Sequence, residues 1–87
     1  MTTYENATQH DAPPVRQEVR TAVNRLVRSK TGSMLRDLRV DVAGEPARGL
    51  HVTLSGRCGS YYGKQLAGVA AMAAAPGGRV VNAIAVN

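Results

Sequence analysis

The fold is decided by residues 38–56, LRVDVAGEPARGLHVTLSG. Apolar and polar residues alternate from Leu38 to Val42, and they alternate again from Leu50 to Leu54. A period of two is typical of a strand that buries one face. The residues between the two segments, 43–49, include glycines and a proline, which favour a turn. The stretch therefore predicts two strands joined as a β-hairpin.

Helical periodicity flanks the hairpin on both sides. Upstream, apolar residues recur at intervals of three and four from Val15 to Val27, and a lysine followed by a glycine ends the pattern. Downstream, Ser60 is a predicted N-cap, and Pro76–Gly78 ends a second helix. A third strand is predicted at Val80–Val86. The face that the second helix is predicted to bury carries its larger apolar residues, with alanines around them: Tyr62, Leu66, Val69 and Ala73.

The predicted order of elements is αββαβ. Because each helix has one apolar stripe and each hairpin strand one apolar face, the sequence predicts an α+β two-layer sandwich, with two helices packed on one face of a three-stranded sheet. Residues 1–12 are polar and aperiodic, so we expect a disordered N-terminal tail. Residues 13–87 are expected to form a single domain, since a chain of 87 residues is too short for two.

The net charge of +5 favours an anionic partner. Residues 15–30 hold five basic residues against Glu18, which gives this segment a charge of +4. Arg16, Arg20 and Arg28 flank one side of the apolar stripe in this helix. Because a basic amphipathic helix can lie on an anionic membrane, these three residues are the predicted surface contacts. The alternative interpretation is that the stripe packs on the sheet and the arginines are only solvated.

A second candidate site lies where the second strand meets the second helix. Free N–H groups at a helix start can hold an anion, and an arginine is nearby, so Arg57, Gly59 and Ser60 form a predicted anion site. The spacing does not match a P-loop. The alternative is a tight turn between strand and helix without a ligand. Tyr61 follows the site and either packs at the helix end or touches a headgroup or partner.

The sequence argues against an enzyme. No nucleophile–base pair, metal-binding set or carboxylate pair can be assembled from it, so no catalytic residue, metal ligand or cofactor is predicted. Cys58 is the only cysteine, which excludes an internal disulfide. His10, His51 and Cys58 do not have the spacing of a zinc site, and His51 is expected to point outward from its strand.

Two segments resemble a known family. Leu38–Val42 followed by Gly49–Gly56 is similar to the strand–turn–strand signature of BON domains, the bacterial osmotically inducible and nodulation domains. Pro76–Val86 is similar to their closing strand, in which a glycine-containing turn precedes Val, Asn and alternating aliphatic residues. The resemblance covers residues 15–86. It implies attachment to phospholipid surfaces or envelope partners, and it implies no cofactor.

The leading hypothesis is therefore a non-enzymatic binding module for anionic phospholipid or an envelope-associated protein. Self-association or scaffolding through a sheet edge is a second hypothesis, and weak nucleic-acid binding is a third. The lack of outward aromatic platforms argues against nucleic acid. No apolar run is long enough to span a membrane. Without a visible signal peptide, we expect a cytoplasmic protein if the chain is complete, and a periplasmic one if it is a trimmed piece of an exported protein.

Overall fold

The structure, a computed structural model, describes residues Ala12–Asn87, and the predictions for residues 1–11 lie outside this range. The short 3-10 turn Gly32–Met34 joins the first helix to the first strand. The element order agrees with the predicted one, except that the last strand is divided in two. The elements are α1 (Ala12–Thr31), β1 (Leu35–Glu45), β2 (Gly49–Cys58), α2 (Tyr61–Ala74), β3 (Arg79–Asn82) and β4 (Ala85–Val86).

The predicted α+β class with both helices on the sheet is confirmed. β2 is the central strand, antiparallel to β1 and parallel to both β3 and β4. The helices pack side by side, with α1 over β1 and α2 over β2 and β3. They form one layer, which leaves the other face of the sheet open.

The sheet has four strands, where the sequence predicted three. The predicted third strand is interrupted at Ala83 and Ile84, between β3 and β4. Asn82 lies at the break: its Oδ1 accepts a hydrogen bond from the backbone N–H of Ile84 (3.3 Å), and its Nδ2 donates to the carbonyl of Lys64 (2.8 Å). Both pieces keep one register against β2, so they behave as a single interrupted strand.

The core lies between the helical layer and the sheet. The largest fully buried side chains are Leu54, Ile84, Val23, Val27, Val52 and Cys58. The inward positions of the hairpin are therefore the predicted ones. α1 ends where the sequence predicted: Thr31 Oγ1 donates to the Val27 carbonyl (2.8 Å), and Gly32 follows with a φ of 56°.

The predicted inward face of α2 is wrong. Tyr62, Val69 and Ala73 are exposed, and Leu66 is half-buried. The residues that α2 buries are small: Gly63, Ala67, Gly68, Ala70 and Ala71. The reason is the close approach of α2 to the sheet. A Cβ at Gly63 would collide with Cys58 Sγ, and a Cβ at Gly68 would lie 2.9 Å from Asn82 Nδ2.

Candidate functional site

The outward side of α2 carries large apolar side chains. Tyr61, Tyr62, Val69 and Met72 are 63%, 65%, 61% and 55% exposed, and we call these four residues the α2 outer face. Val69 lies two turns from Tyr62 and one turn from Met72, so these side chains share one side of the helix. Scattered exposed apolar residues are ordinary, whereas several on one helix side mark an interaction surface.

The local sequence fixes the direction of this face. The Ser60 side chain caps α2 by accepting a hydrogen bond from the Gly63 N–H (3.1 Å), which confirms the predicted N-cap. The cap places Tyr61 and Tyr62 in the first helical turn. Because the small-residue side is held against the sheet, the tyrosines are directed to solvent. Each presents an apolar ring and a polar hydroxyl there.

The arginines of α1 divide into two kinds. Arg20 and Arg28 are exposed, and Arg28 Nε donates to Asn24 Oδ1 (2.7 Å). Arg20 also lines a shallow depression together with Asn24 and Arg25. Arg16 is half-buried, and its Nη1 donates to the carbonyl of Gly44 (2.9 Å) at the end of β1. Two of the three predicted surface contacts are thus available on the surface, and the third holds α1 to the hairpin.

The predicted anion site of Arg57, Gly59 and Ser60 has an acidic side chain beside it. Arg57 Nη2 lies 3.4 Å from Asp37 Oδ2, with both side chains more than half exposed. Gly59 and Ser60 line a shallow depression beside Arg36, which is not one of the predicted site residues. β1 starts at Leu35, three residues before the predicted hairpin strand, so Arg36 belongs to the strand. The register of β1 and β2 places Arg36 opposite Arg57.

The remaining sequence candidates occupy ordinary positions. His51 is exposed on β2, as predicted. Cys58 is buried in the core beside Gly63. Within Ala12–Asn87, neither helix combines the length and the apolarity needed to cross a bilayer.

The sequence predicted only Tyr61 of the α2 outer face as a possible contact, and Tyr61 is exposed, whereas Tyr62 and Val69 were expected in the core. The spacing i, i+4, i+7 and i+11 fits Tyr62, Leu66, Val69 and Ala73, but it fits the small residues Gly63, Ala67, Ala70 and Ala74 equally well. Periodicity alone could not choose between the two faces. The signal that could have decided it is side-chain volume, since glycines within one helical stripe indicate close approach to a neighbour.

Comparison with known proteins does not assign the chain to a family. No family model, no curated protein and no solved structure matches it. The resemblance to BON domains therefore stays a prediction that rests on the sequences of the hairpin and the last strand.

Proposed function

We propose that this domain is a non-enzymatic binding module for anionic phospholipid surfaces, which it contacts through the outer side of its helical layer. The observation that carries the proposal is the α2 outer face, where four large apolar side chains stand in solvent. The implied BON-like attachment to phospholipid is in line with this assignment.

The chemistry of the α2 outer face suits a membrane interface. Tyrosine is favoured at the headgroup level because its ring is apolar and its hydroxyl is polar. Val69 and Met72 supply aliphatic area that gains free energy when it leaves water, by roughly 25 cal/mol per Å². Neither side chain reaches the core of its own domain, so this apolar area remains available for a lipid surface.

The charge of α1 selects an anionic surface over a neutral one. α1 packs beside α2 in the same layer, and its exposed basic residues include Arg20, Arg25 and Arg28. Each basic residue near an anionic membrane contributes about 1 kcal/mol, and salt screens this term. The apolar stripe of α1 is already used, since Val23 and Val27 are fully buried. Insertion is therefore assigned to α2 and charge attraction to α1.

The test is co-flotation with vesicles of phosphatidylcholine alone or mixed with phosphatidylserine, across a salt series. We expect retention on the anionic vesicles at low salt and its loss as salt rises. The pair Arg20→Gln with Arg28→Gln should lower retention, and the pair Val69→Gln with Met72→Gln should lower it independently. No retention of the unaltered protein at low salt would refute the proposal.

Matched controls separate the site from general effects of charge and polarity. Arg48→Gln with Arg79→Gln removes the same charge from exposed positions in the hairpin turn and β3. Val81→Gln places the same polar group at an exposed apolar position of the sheet. Retention should survive in both controls. Equal losses in the controls and in the helix variants would show that the helical layer is not the contact surface.

A further inference from the structure

The long strand β1 has an open edge. Among the described residues β1 pairs only with β2, so its other side has backbone groups without a strand partner. β1 has 11 residues, whereas β3 at the opposite edge has 4. A long open edge is a template for pairing with another chain.

The usable part of this edge is short and well defined. At one end a bulge interrupts the ladder between Arg36 and Arg39, and Asp37 has a φ of 57°. At the other end the carbonyl of Gly44 accepts the hydrogen bond from Arg16. The regular segment between them, residues 39–43, includes Val40 and its charged neighbours Arg39 and Asp41.

We propose that two copies of this chain pair through antiparallel β1 edges, about a two-fold axis at Val40. In this register Arg39 lies opposite Asp41 of the partner subunit, and Asp41 lies opposite the partner's Arg39. Both residues are exposed on the open face of the sheet, so two opposite-charge pairs form across the interface. Such cross-strand pairs stabilise a sheet, and like charges opposite each other destabilise it.

The apolar positions agree with the same register. Leu38 and Val42 point to the helical side and are only half-buried in one chain. The two-fold axis brings Leu38, at the end of the bulge, near Val42 of the partner subunit, which covers apolar surface on both copies. Centring the axis on Arg39 or on Asp41 would place like charges opposite each other. The sequence of β1 therefore specifies one register of self-pairing.

The association is expected to be weak. The regular segment is short, and α1, which lies over β1, brings a second basic helix close by in the pair. We expect a dissociation constant between about 1 µM and 1 mM, measurable by sedimentation velocity over a concentration series.

Charge reversal tests the register directly. Arg39→Asp alone creates two aspartate–aspartate pairs in the dimer, because position 39 of each copy faces position 41 of the other. Asp41→Arg alone creates two arginine–arginine pairs in the same way. Each should weaken association about tenfold or more. An equimolar mixture of the two variants restores opposite charges in a heterodimer, and so does the double variant Arg39→Asp with Asp41→Arg within one chain. Both should associate like the unaltered protein.

Arg79→Asp is the control, because it makes the same reversal at an exposed position of β3. Its association should be unchanged, and circular dichroism should show that every variant is folded. A strict monomer up to about 1 mM would overturn the proposal, as would a mixture that stays dissociated. Association lost in Val69→Gln with Met72→Gln would assign it to α2 instead. Vesicle binding is measured separately, so either proposal can fail alone.

Discussion

Single glycines decide how closely α2 approaches the sheet. Gly63 faces Cys58 Sγ, and no space for a methyl group remains between them. Alanine is favoured over glycine in a helix by about 1 kcal/mol, so propensity alone would make Gly63→Ala stabilising. Overpacking of a close contact costs about 1–3 kcal/mol. At Gly63 this cost should exceed the gain in helix propensity, because backbone and core must shift together.

We therefore expect Gly63→Ala to lower the free energy of unfolding by about 1–2 kcal/mol, measured by urea denaturation. Gly59→Ala is the comparison, because Gly59 has an ordinary φ and a Cβ there would meet nothing within 4 Å. Its free energy of unfolding should change by less than about 0.5 kcal/mol. A Gly63→Ala variant as stable as the unaltered protein would show that α2 can move away from β2 at little cost.

At the scale of elements, α2 depends on its first turn. Ser60 has an extended backbone, and its hydroxyl accepts the hydrogen bond from Gly63. Ser60→Ala removes this cap and should lower the free energy of unfolding by about 1 kcal/mol. Ser60→Asp should restore most of the loss, because aspartate caps as well and its charge suits a helix N-terminus. Thermal unfolding of both variants is the measurement, and equal melting temperatures would contradict the role of the cap.

The elements differ in how far the sequence determines them. β1 and β2 could be predicted because only every second residue of each strand is apolar, which leaves a single choice of buried face. The last strand is apolar at both alternating sets of positions, so its sequence does not indicate a break. Asn82, which lies at the break, donates a hydrogen bond to Lys64, a residue of another element. The face of α2 could not be read from spacing, since two stripes fit and only contact with the sheet selects the smaller one.

The exposed arginines of the candidate site could be predicted from the sequence, whereas the contacts of Arg16 and the exposure of Tyr62 could not. Charge density in α1 pointed to exposed basic residues, and Arg20 and Arg28 are exposed. Arg16 lies two turns before the buried Val23, so the helical period favours its partial burial, but its bond to Gly44 depends on the hairpin lying next to α1. Tyr62 was expected inside because it shares one helical stripe with Leu66 and Val69. Tertiary contacts, which one helix cannot reveal by itself, placed it outside.

At the scale of the whole molecule, the two proposed surfaces are compatible. A two-fold axis that pairs two β1 edges stands perpendicular to the sheet, so both helical layers face the same side. A dimer would therefore present two α2 outer faces to one membrane. Linked sites bind more tightly than single ones because the second contact is intramolecular.

One variant, Asp41→Arg, distinguishes avidity of the dimer from simple charge attraction to the membrane. Asp41→Arg adds positive charge, which by itself should strengthen binding to anionic vesicles, but it breaks the proposed pairing. At concentrations where the unaltered protein is dimeric, we expect the variant to bind phosphatidylserine vesicles several-fold more weakly. Vesicle titration over a range of protein concentrations is the measurement. Tighter binding by the variant would mean that charge, and not pairing, governs attachment.

The buried position of Cys58 gives the protein an internal reporter. Its sulfur is the only thiol in the chain, and it lies between β2 and α2. A thiol reagent in water reaches it only when α2 lifts from the sheet or the domain unfolds. When reclosing is faster than labelling, the modification rate measures the population of opened molecules. The native chain can thus be used without added probes to learn whether a lipid surface tightens the helical layer or loosens it.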